Sequence, residues 1–297
     1  MNEHTLRVLE YDKVTSIIAA YAASEAGRAA VAKLYPAEDV PTVETLLREA
    51  RECTLILQSG EDLPLDGIPD IRQAVGKLGV TGTILSPADL LNTATTLGAG
   101  RRVKSFFRRF DGKGTSTRPA APLLCALAAG IESLKHIEEA VLAAIDDRAE
   151  VKDSASPVLR KIRKQVARMR EDILDRMSGI LQDSGFQKVI QEPVITIRDD
   201  RYVLPLKPNF RTSIKGVVHG QSGSRATLFV EPLDVLEQNN RLAELRMEER
   251  EEVERILQEL TALLSQEARR IEVTVFALAK IDAIYARARF GIEYGGT

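Results

Sequence analysis

The chain has no tryptophan among its 297 residues, and only eight phenylalanines and six tyrosines. Platforms that stack the bases of single strands need exposed aromatic faces, so recognition of that kind is not expected. Cysteine and histidine are equally scarce. Cys53, Cys125, His4, His136 and His219 are scattered and match neither a disulfide framework nor a zinc-ligand spacing. The two cysteines are expected to be ordinary half-buried thiols. No apolar run approaches the ~20 residues that span a bilayer, and no charged-then-apolar leader opens the chain, so a soluble cytoplasmic protein is expected. An excess of one charge is missing as well. Forty-one basic residues against 43 acidic ones leave a formal charge of -2, so any polyanion-binding surface must be local.

What the chain does have is helical periodicity. Leu9 to Leu34 is alanine-rich, with Val14, Ile17, Ile18, Tyr21, Val31 and Leu34 spaced for one face of a helix that Pro36 stops. Further helices are expected from Val43 to about Leu57, near Ile71 to Leu78, and from Ser86. There Ser86 can cap the free amides, Pro87 suits the first turn and Asp89 favours the positive end. "DGKGTSTRPAAP", residues 111–122, has the composition of a loop. These features describe a helical core over residues 1–150.

The pattern then changes. Ser156 and Pro157 start a helix whose Leu159, Ile162, Val166, Met169, Ile173, Met177 and Ile180 form a coiled-coil seam over the segment 151–186. Between 187 and 232, "VITI", "RYVLPL", "IKGVV" and "ATLFV" are short branched or aromatic runs broken by turns, which predicts a small antiparallel sheet. From 233 a helical pattern runs almost unbroken to about Phe290, roughly 85 Å against roughly 40 Å for the outgoing helix. The fold class expected is mainly α with a small antiparallel β insertion. A helical core carries an antiparallel arm with the sheet at its tip, and the surplus of the returning helix packs on the core. Arg160, Lys161, Arg163, Lys164, Arg168 and Arg170 face a returning helix rich in glutamate, from Glu244 to Glu259. Opposite charges there are expected to set register, with phosphate binding by the basic run as the alternative.

Catalytic motifs are tested and set aside. No P-loop is present: "DGKGTST" lacks the first glycine, because position 107 is Phe, and "HGQSGSR" has glycines without a lysine and leads into a strand. The serine-nucleophile elbow is missing too, because Ser224 stands where G-x-S-x-G needs its last glycine. Asp199 and Asp200 in "RDDR" are adjacent carboxylates that a strand would point to opposite faces, which favours a hairpin turn over a magnesium site. Neither a catalytic residue nor a metal site is expected in this chain. Electrostatics remains. Lys188, Arg198, Arg201, Lys207, Arg211, Lys215 and Arg225 outnumber Glu192, Asp199 and Asp200 by about four charges, on a chain that is acidic elsewhere. Such an excess suggests contact with a polyanion backbone. The residues expected to bind nucleic acid are Lys207, Arg211, Lys215, His219, Ser222, Ser224 and Arg225, with Gly220 and Gly223 allowing close approach.

"IDDRAEVKDSASPVLRKIRKQV" and "RDDRYVLPLKPNFRTSIKGVVHGQSGSRATLFVEPLDVLEQNNRL" resemble the second branch of bacterial MutS-like proteins, MutS-two, as do "LEYDKVTSIIAAYAASEAGRAAVAKLYP" and "LPLDGIPDIRQAVGKL". The resemblance implies a core and lever domain and a β clamp between lever helices. It implies a homodimer that grips branched DNA in recombination control, or ribosomal RNA on stalled ribosomes. It further implies an ATPase domain using ATP and magnesium, and a Smr nuclease domain, beyond the residues present here; no cofactor is expected in this chain. "LFVEP" places Phe229 and Glu231 in the F-x-E spacing of the wedge that reads mismatches in MutS proteins. That wedge is G-x-F-x-E in an N-terminal domain, and Thr227 fills the glycine position, so no mismatch reading is expected. A purely structural dimerisation or spacer module is the alternative function, and a magnesium nuclease built on Asp199 and Asp200 is a third.

Overall fold

Two serines standing directly before a proline begin helices. Ser86 accepts the amide of Asp89 at the start of a helix from Pro87 to Phe107, and Ser156 accepts that of Leu159 at the start of one from Pro157 to Gln182. In both, the hydroxyl satisfies a free first-turn amide and proline loses no bond there. The computed structural model describes residues 3–112, 119–210 and 214–296. Residues 113–118 of the loop expected over 111–122 lie outside them. The chain divides into two compact units, one comprising residues 1–152 and 257–297, the other 153–256.

The first unit is helical: α1 Glu3–Val8, α2 Tyr11–Ala19, α3 Glu25–Ala32, α4 Val40–Gln58, α5 Arg72–Lys77, α6 Pro87–Phe107, α7 Pro122–Ala129 and α8 Lys135–Ala144. In the second unit lie α9 Pro157–Gln182, β1 Thr196–Arg198, β2 Arg201–Leu206, β3 Gly216–Gln221 and β4 Leu228–Pro232. The helix α10, Leu233–Gln266, contributes to both units, and α11, Ala268–Tyr294, returns to the first. There α11 supplies Leu278, Ile281 and Ile284 to a core shared with Ile56 of α4, Phe107 of α6 and Leu124 of α7. Cys53 is fully buried in it and Cys125 half-buried; burial pushes their thiols up to about 12 and about 11, as suits inert packing.

Two expected helices are interrupted. The pattern from Leu9 to Leu34 is two helices, because Asp282 of α11 captures the chain between them. Its fully buried carboxylate accepts the amides of Ala23 (2.9 Å) and Ser24 (2.8 Å) and the Ser24 hydroxyl (2.5 Å). Ser24, held extended, then caps α3 by accepting the Gly27 amide. A Cβ on Gly27 would fall 1.9 Å from the Asp282 carboxylate, so this close approach needs glycine. The returning helix breaks at Glu267 (φ -108°, ψ 12°), where its amide donates to Leu264 over three residues rather than four. No glycine or proline marks the place.

The outgoing and returning helices of the second unit run antiparallel. Ser156 of α9 donates to Glu252 of α10 (2.5 Å), Arg163 to Glu249 (2.8 Å), and Arg176 to the Asp234 carbonyl (3.4 Å). Along the seam Leu159, Ile162, Ile173 and Met177 are buried, with Val166, Met169 and Ile180 partly so. Charge pairing is sparser than expected. Arg163 is the member of the basic run that bridges to the glutamate-rich helix, and Arg170 instead donates to the Tyr202 hydroxyl. Arg160, Lys161, Lys164 and Arg168 are exposed, with no ion pair among the described residues, while Glu244 and Glu248 pair with Arg241 on their own helix. The four cations lie on the solvent side of the seam.

The sheet has the order β1-β2-β4-β3 with every neighbour antiparallel. Leu204, Leu206, Leu228 and Val230 turn to one face and pack with Ile173, Met177, Val235 and Leu242 of the helix pair.

Two tests follow from these contacts. Replacing Asp282 by alanine leaves buried amides unpaired and is expected to cost about 2 to 4 kcal/mol, read as a lowered urea midpoint. Glu252 tests the other unit. Hydrogen bonds from Arg255 and then Ser156 hold its carboxyl down to about 2 against the opposing effect of burial. Its folded-state value lies below the unfolded one of about 4.3. The stability it contributes is therefore complete above about pH 5 and lost as pH falls towards 2. Glu252→Gln is expected to flatten the acid limb of a stability-versus-pH curve.

Candidate nucleic-acid interface

All five residues of β4 are buried, so both faces of this inner strand are covered. Alternation sends Leu228 and Val230 to the helices and Phe229 and Glu231 to the opposite face. There the Arg198 guanidinium lies 4.2 Å over the Phe229 ring. Glu231 has no solvent exposure, and its carboxylate is held by Arg201 (2.8 and 3.1 Å) and by His219 Nε2 (2.6 Å). Arg201 also donates to Asn240 Oδ1 (2.7 Å), and neighbouring Asn239 bonds the Tyr202 amide and carbonyl. A carboxylate taken out of water this completely is tolerable only when paired. Gly216 lets β3 lie close beside it, because a Cβ there would come 2.4 Å from the Glu231 carbonyl.

The "RDDR" segment is a two-residue hairpin turn. Asp199 and Asp200 have φ of 48° and 62°, the left-handed pair that a tight β1–β2 connection requires. Asp200 is tied to Arg246 of α10 (3.1 Å), with Arg250 at 3.7 Å. Among the described residues no group of three His, Cys, Asp or Glu side chains is placed to hold a metal ion.

The expected binding residues divide into separate groups. Lys207 donates to the Lys188 carbonyl (3.1 Å) and ties down the segment before β1. Arg211 lies outside the described residues. His219 faces inward onto Glu231 with its side chain 17% exposed, so it braces the sheet instead of presenting a free imidazole to solvent. Sequence neighbours gave no sign of this, because the partner is on the next strand. Ser222 closes the β3–β4 turn: its hydroxyl accepts the Thr227 amide (3.1 Å) and lies 3.2 Å from the Ser224 hydroxyl. Ser224 and Arg225 are exposed on that turn, Arg225 with φ 58°. Lys215 is exposed before the other end of β3, roughly 20 Å away along the strand. Neither Lys215 nor Arg225 has a carboxylate partner among the described residues. The exposed cations thus follow the length of an edge strand, and the exposed α9 cations, an all-basic run in the sequence, add to them within the same unit.

Glu231→Ala is expected to destabilise the chain by about 3 kcal/mol, because it leaves the partly buried Arg201 without its counter-charge. His219→Ala should cost less, about 1 to 2 kcal/mol, and leave the salt dependence of nucleic-acid binding unchanged. Urea denaturation and a salt titration on the same samples check both.

Comparison with known proteins agrees on the class: the relatives found are MutS-like. Across nearly all of its own length the chain is similar to MutS2 proteins. It is 38% identical over 293 residues to Endonuclease MutS2 of Alkaliphilus oremlandii and 37% identical over 294 residues to that of Acetivibrio thermocellus, in each case across 99% of the chain. Identity to Endonuclease MutS2 of a Geobacillus species is 37% over 297 residues, 100% of the chain. The chain spans about 36% of the length of these relatives. No protein-family model matches it. Among the described residues no helix is long and apolar enough to cross a membrane.

Proposed function

We propose that the sheet-bearing unit is a clamp that grips the sugar–phosphate backbone of nucleic acid, within a MutS2-like homodimer whose remaining length hydrolyses ATP with magnesium and cleaves nucleic acid. One observation carries this reading. Two carboxylates of this region are drawn into pairs, Glu231 with Arg201 and His219 and Asp200 with Arg246, while Lys215 before β3 and Arg225 on the β3–β4 turn stay exposed and without a carboxylate partner among the described residues. An unpaired Arg225 beside the Ser224 hydroxyl, with Lys215 at the other end of the strand, suits phosphate oxygens. Fully engaged titratable groups do not suit acid–base chemistry. Contacts of this kind position a backbone and read no sequence, so branched DNA and ribosomal RNA on stalled ribosomes are both substrates of the same grip.

Anisotropy titrations of a branched DNA and a structured RNA against salt test the proposal. Arg225 occupies left-handed backbone, so Asn is the replacement that keeps the turn. Lys215→Ala with Arg225→Asn is expected to lower the slope of log affinity against log salt by about 2, one for each lost phosphate contact. An unchanged slope would sink the proposal.

A further inference from the structure

A second basic surface lies in the first unit, where charge totals hid it. Five of the nine residues from 101 to 109, in "RRVKSFFRR", are Arg or Lys. In the structure they line a groove of about 670 Å³ at the C-terminal end of α6, walled also by Pro64, Ser105 and Ser133, with no carboxylate in its lining. The cations are not equivalent. Arg101 pairs with Glu138 (2.8 Å), and Arg109 pairs with Glu61 (3.1 Å) while lying 4.6 Å over the Phe106 ring. Lys104 donates to the carbonyls of Ala129 and Ile131 (3.1 and 2.5 Å), binding α6 to the end of α7. Arg102 and Arg108 are exposed and make no ion pair among the described residues.

Part of this has a structural explanation, because cations near a helix C-terminus complement its dipole. That accounts for Lys104 and Arg108. It does not account for Arg102, which lies more than a turn further back, nor for a groove whose floor gathers cations and excludes carboxylates. Two carboxylates against five cations leave a surplus of about three charges, and like charges held this close repel unless an anion joins them.

We propose that this groove binds the phosphate backbone of nucleic acid through Arg102 and Arg108, as a contact surface separate from the β3 edge and independent of it. Guanidinium groups fit phosphate oxygens in a bidentate way, and the two lie six residues apart, about 9 Å along the helix, far enough to hold different phosphates of one strand. An acidic peptide is the other ligand that such charge attracts. Peptide recognition draws on a pocket for an apolar anchor. Here the aromatic rings behind the groove, Phe106, Phe107 and Phe110, are already 93% or more buried in the core and offer none. The surface recognises charge alone, as backbone binding does.

The test uses the whole 297-residue chain and labelled duplex and single-stranded oligonucleotides. Arg102→Ala with Arg108→Ala is expected to lower the salt slope by about 2 and to weaken binding roughly tenfold or more at 0.1 M salt, with an unchanged urea midpoint. Arg102→Lys with Arg108→Lys should keep the slope, since lysine still displaces counterions. The variant altered at Lys215 and Arg225 is measured beside it. Normal binding by the Arg102/Arg108 alanine variant overturns this inference whatever the clamp variant does, and a loss in the clamp variant alone leaves the clamp standing. Polyglutamate of matched charge is the competitor: displacement as effective as that by unlabelled oligonucleotide also overturns it, in favour of an acidic protein partner.

Discussion

Glu231 sits in an inner strand with no access to water, and most of what the sheet can do follows from the need to pair it. Its charge draws Arg201 across from β2 and His219 from β3. The closeness of β3 at that point admits only glycine at position 216. Each of these residues is thereby removed from the set that a ligand can recruit. The selection works by subtraction: in a strand region with a broad excess of basic residues, Arg201 and His219 are taken up by Glu231, whereas Lys215 and Arg225 stay exposed at the two ends of β3. Replacing such a pair with apolar groups is often neutral for stability, whereas breaking it is costly. What the pairing contributes here is therefore placement of the β3 edge relative to β4.

The same device recurs at two helix starts. Ser24 and Ser156 each accept a first-turn amide and donate their hydroxyl to a buried carboxylate from a distant part of the chain, Asp282 and Glu252 respectively. An N-cap alone satisfies one local amide. With a carboxylate behind it, the cap also fixes which later helix lies alongside. Asp282 joins residues some 258 positions apart, and Glu252, with the nearby Arg163–Glu249 pair, sets the register of α9 on α10. Long-range carboxylates thus do what the expected ladder of opposite charges does not.

Local chemistry was the part readable in advance. Ser86-Pro87 and Ser156-Pro157 read as helix starts because the cap and the proline act within one turn. The α9 seam read correctly because its period is intrinsic, and "RDDR" read as a turn because adjacent strand side chains diverge. The break at residues 20–24 was hidden, since alanine-rich sequence on both sides favours helix and the interrupting group, Asp282, is remote. His219 looked available for the same reason: its glycine and serine neighbours say nothing about Glu231 across the strand. The cations of α6 escaped notice because they follow a stretch buried all round the helix and cancel in the total charge. The resemblance to MutS-two could be seen in "HGQSGSRATLFVEP" and is matched along nearly the whole chain, but kinship does not say which basic residues are free.

Net charge is a poor guide to polyanion binding here because the acidic residues are so unevenly engaged. Many of the carboxylates lie on α10 or are drawn into pairs, as with Asp200, Glu138 and Glu61, and their partners are then neutralised. A near-neutral chain can still present unpaired cations in patches, and the quality of each patch depends on what holds it. Arg225 stands on a hairpin turn closed by Ser222, whereas Arg102 and Arg108 stand on a helix end whose phenylalanines are packed into the core. A surface backed by close-packed aromatics moves little, so less freedom is lost when it meets a phosphate backbone than when an exposed turn does. The helix end is accordingly the better pre-organised of the two surfaces, and the turn the more adaptable. If both surfaces hold nucleic acid as proposed, one rigid and one adaptable contact would each be of use on a backbone that departs from a straight rod.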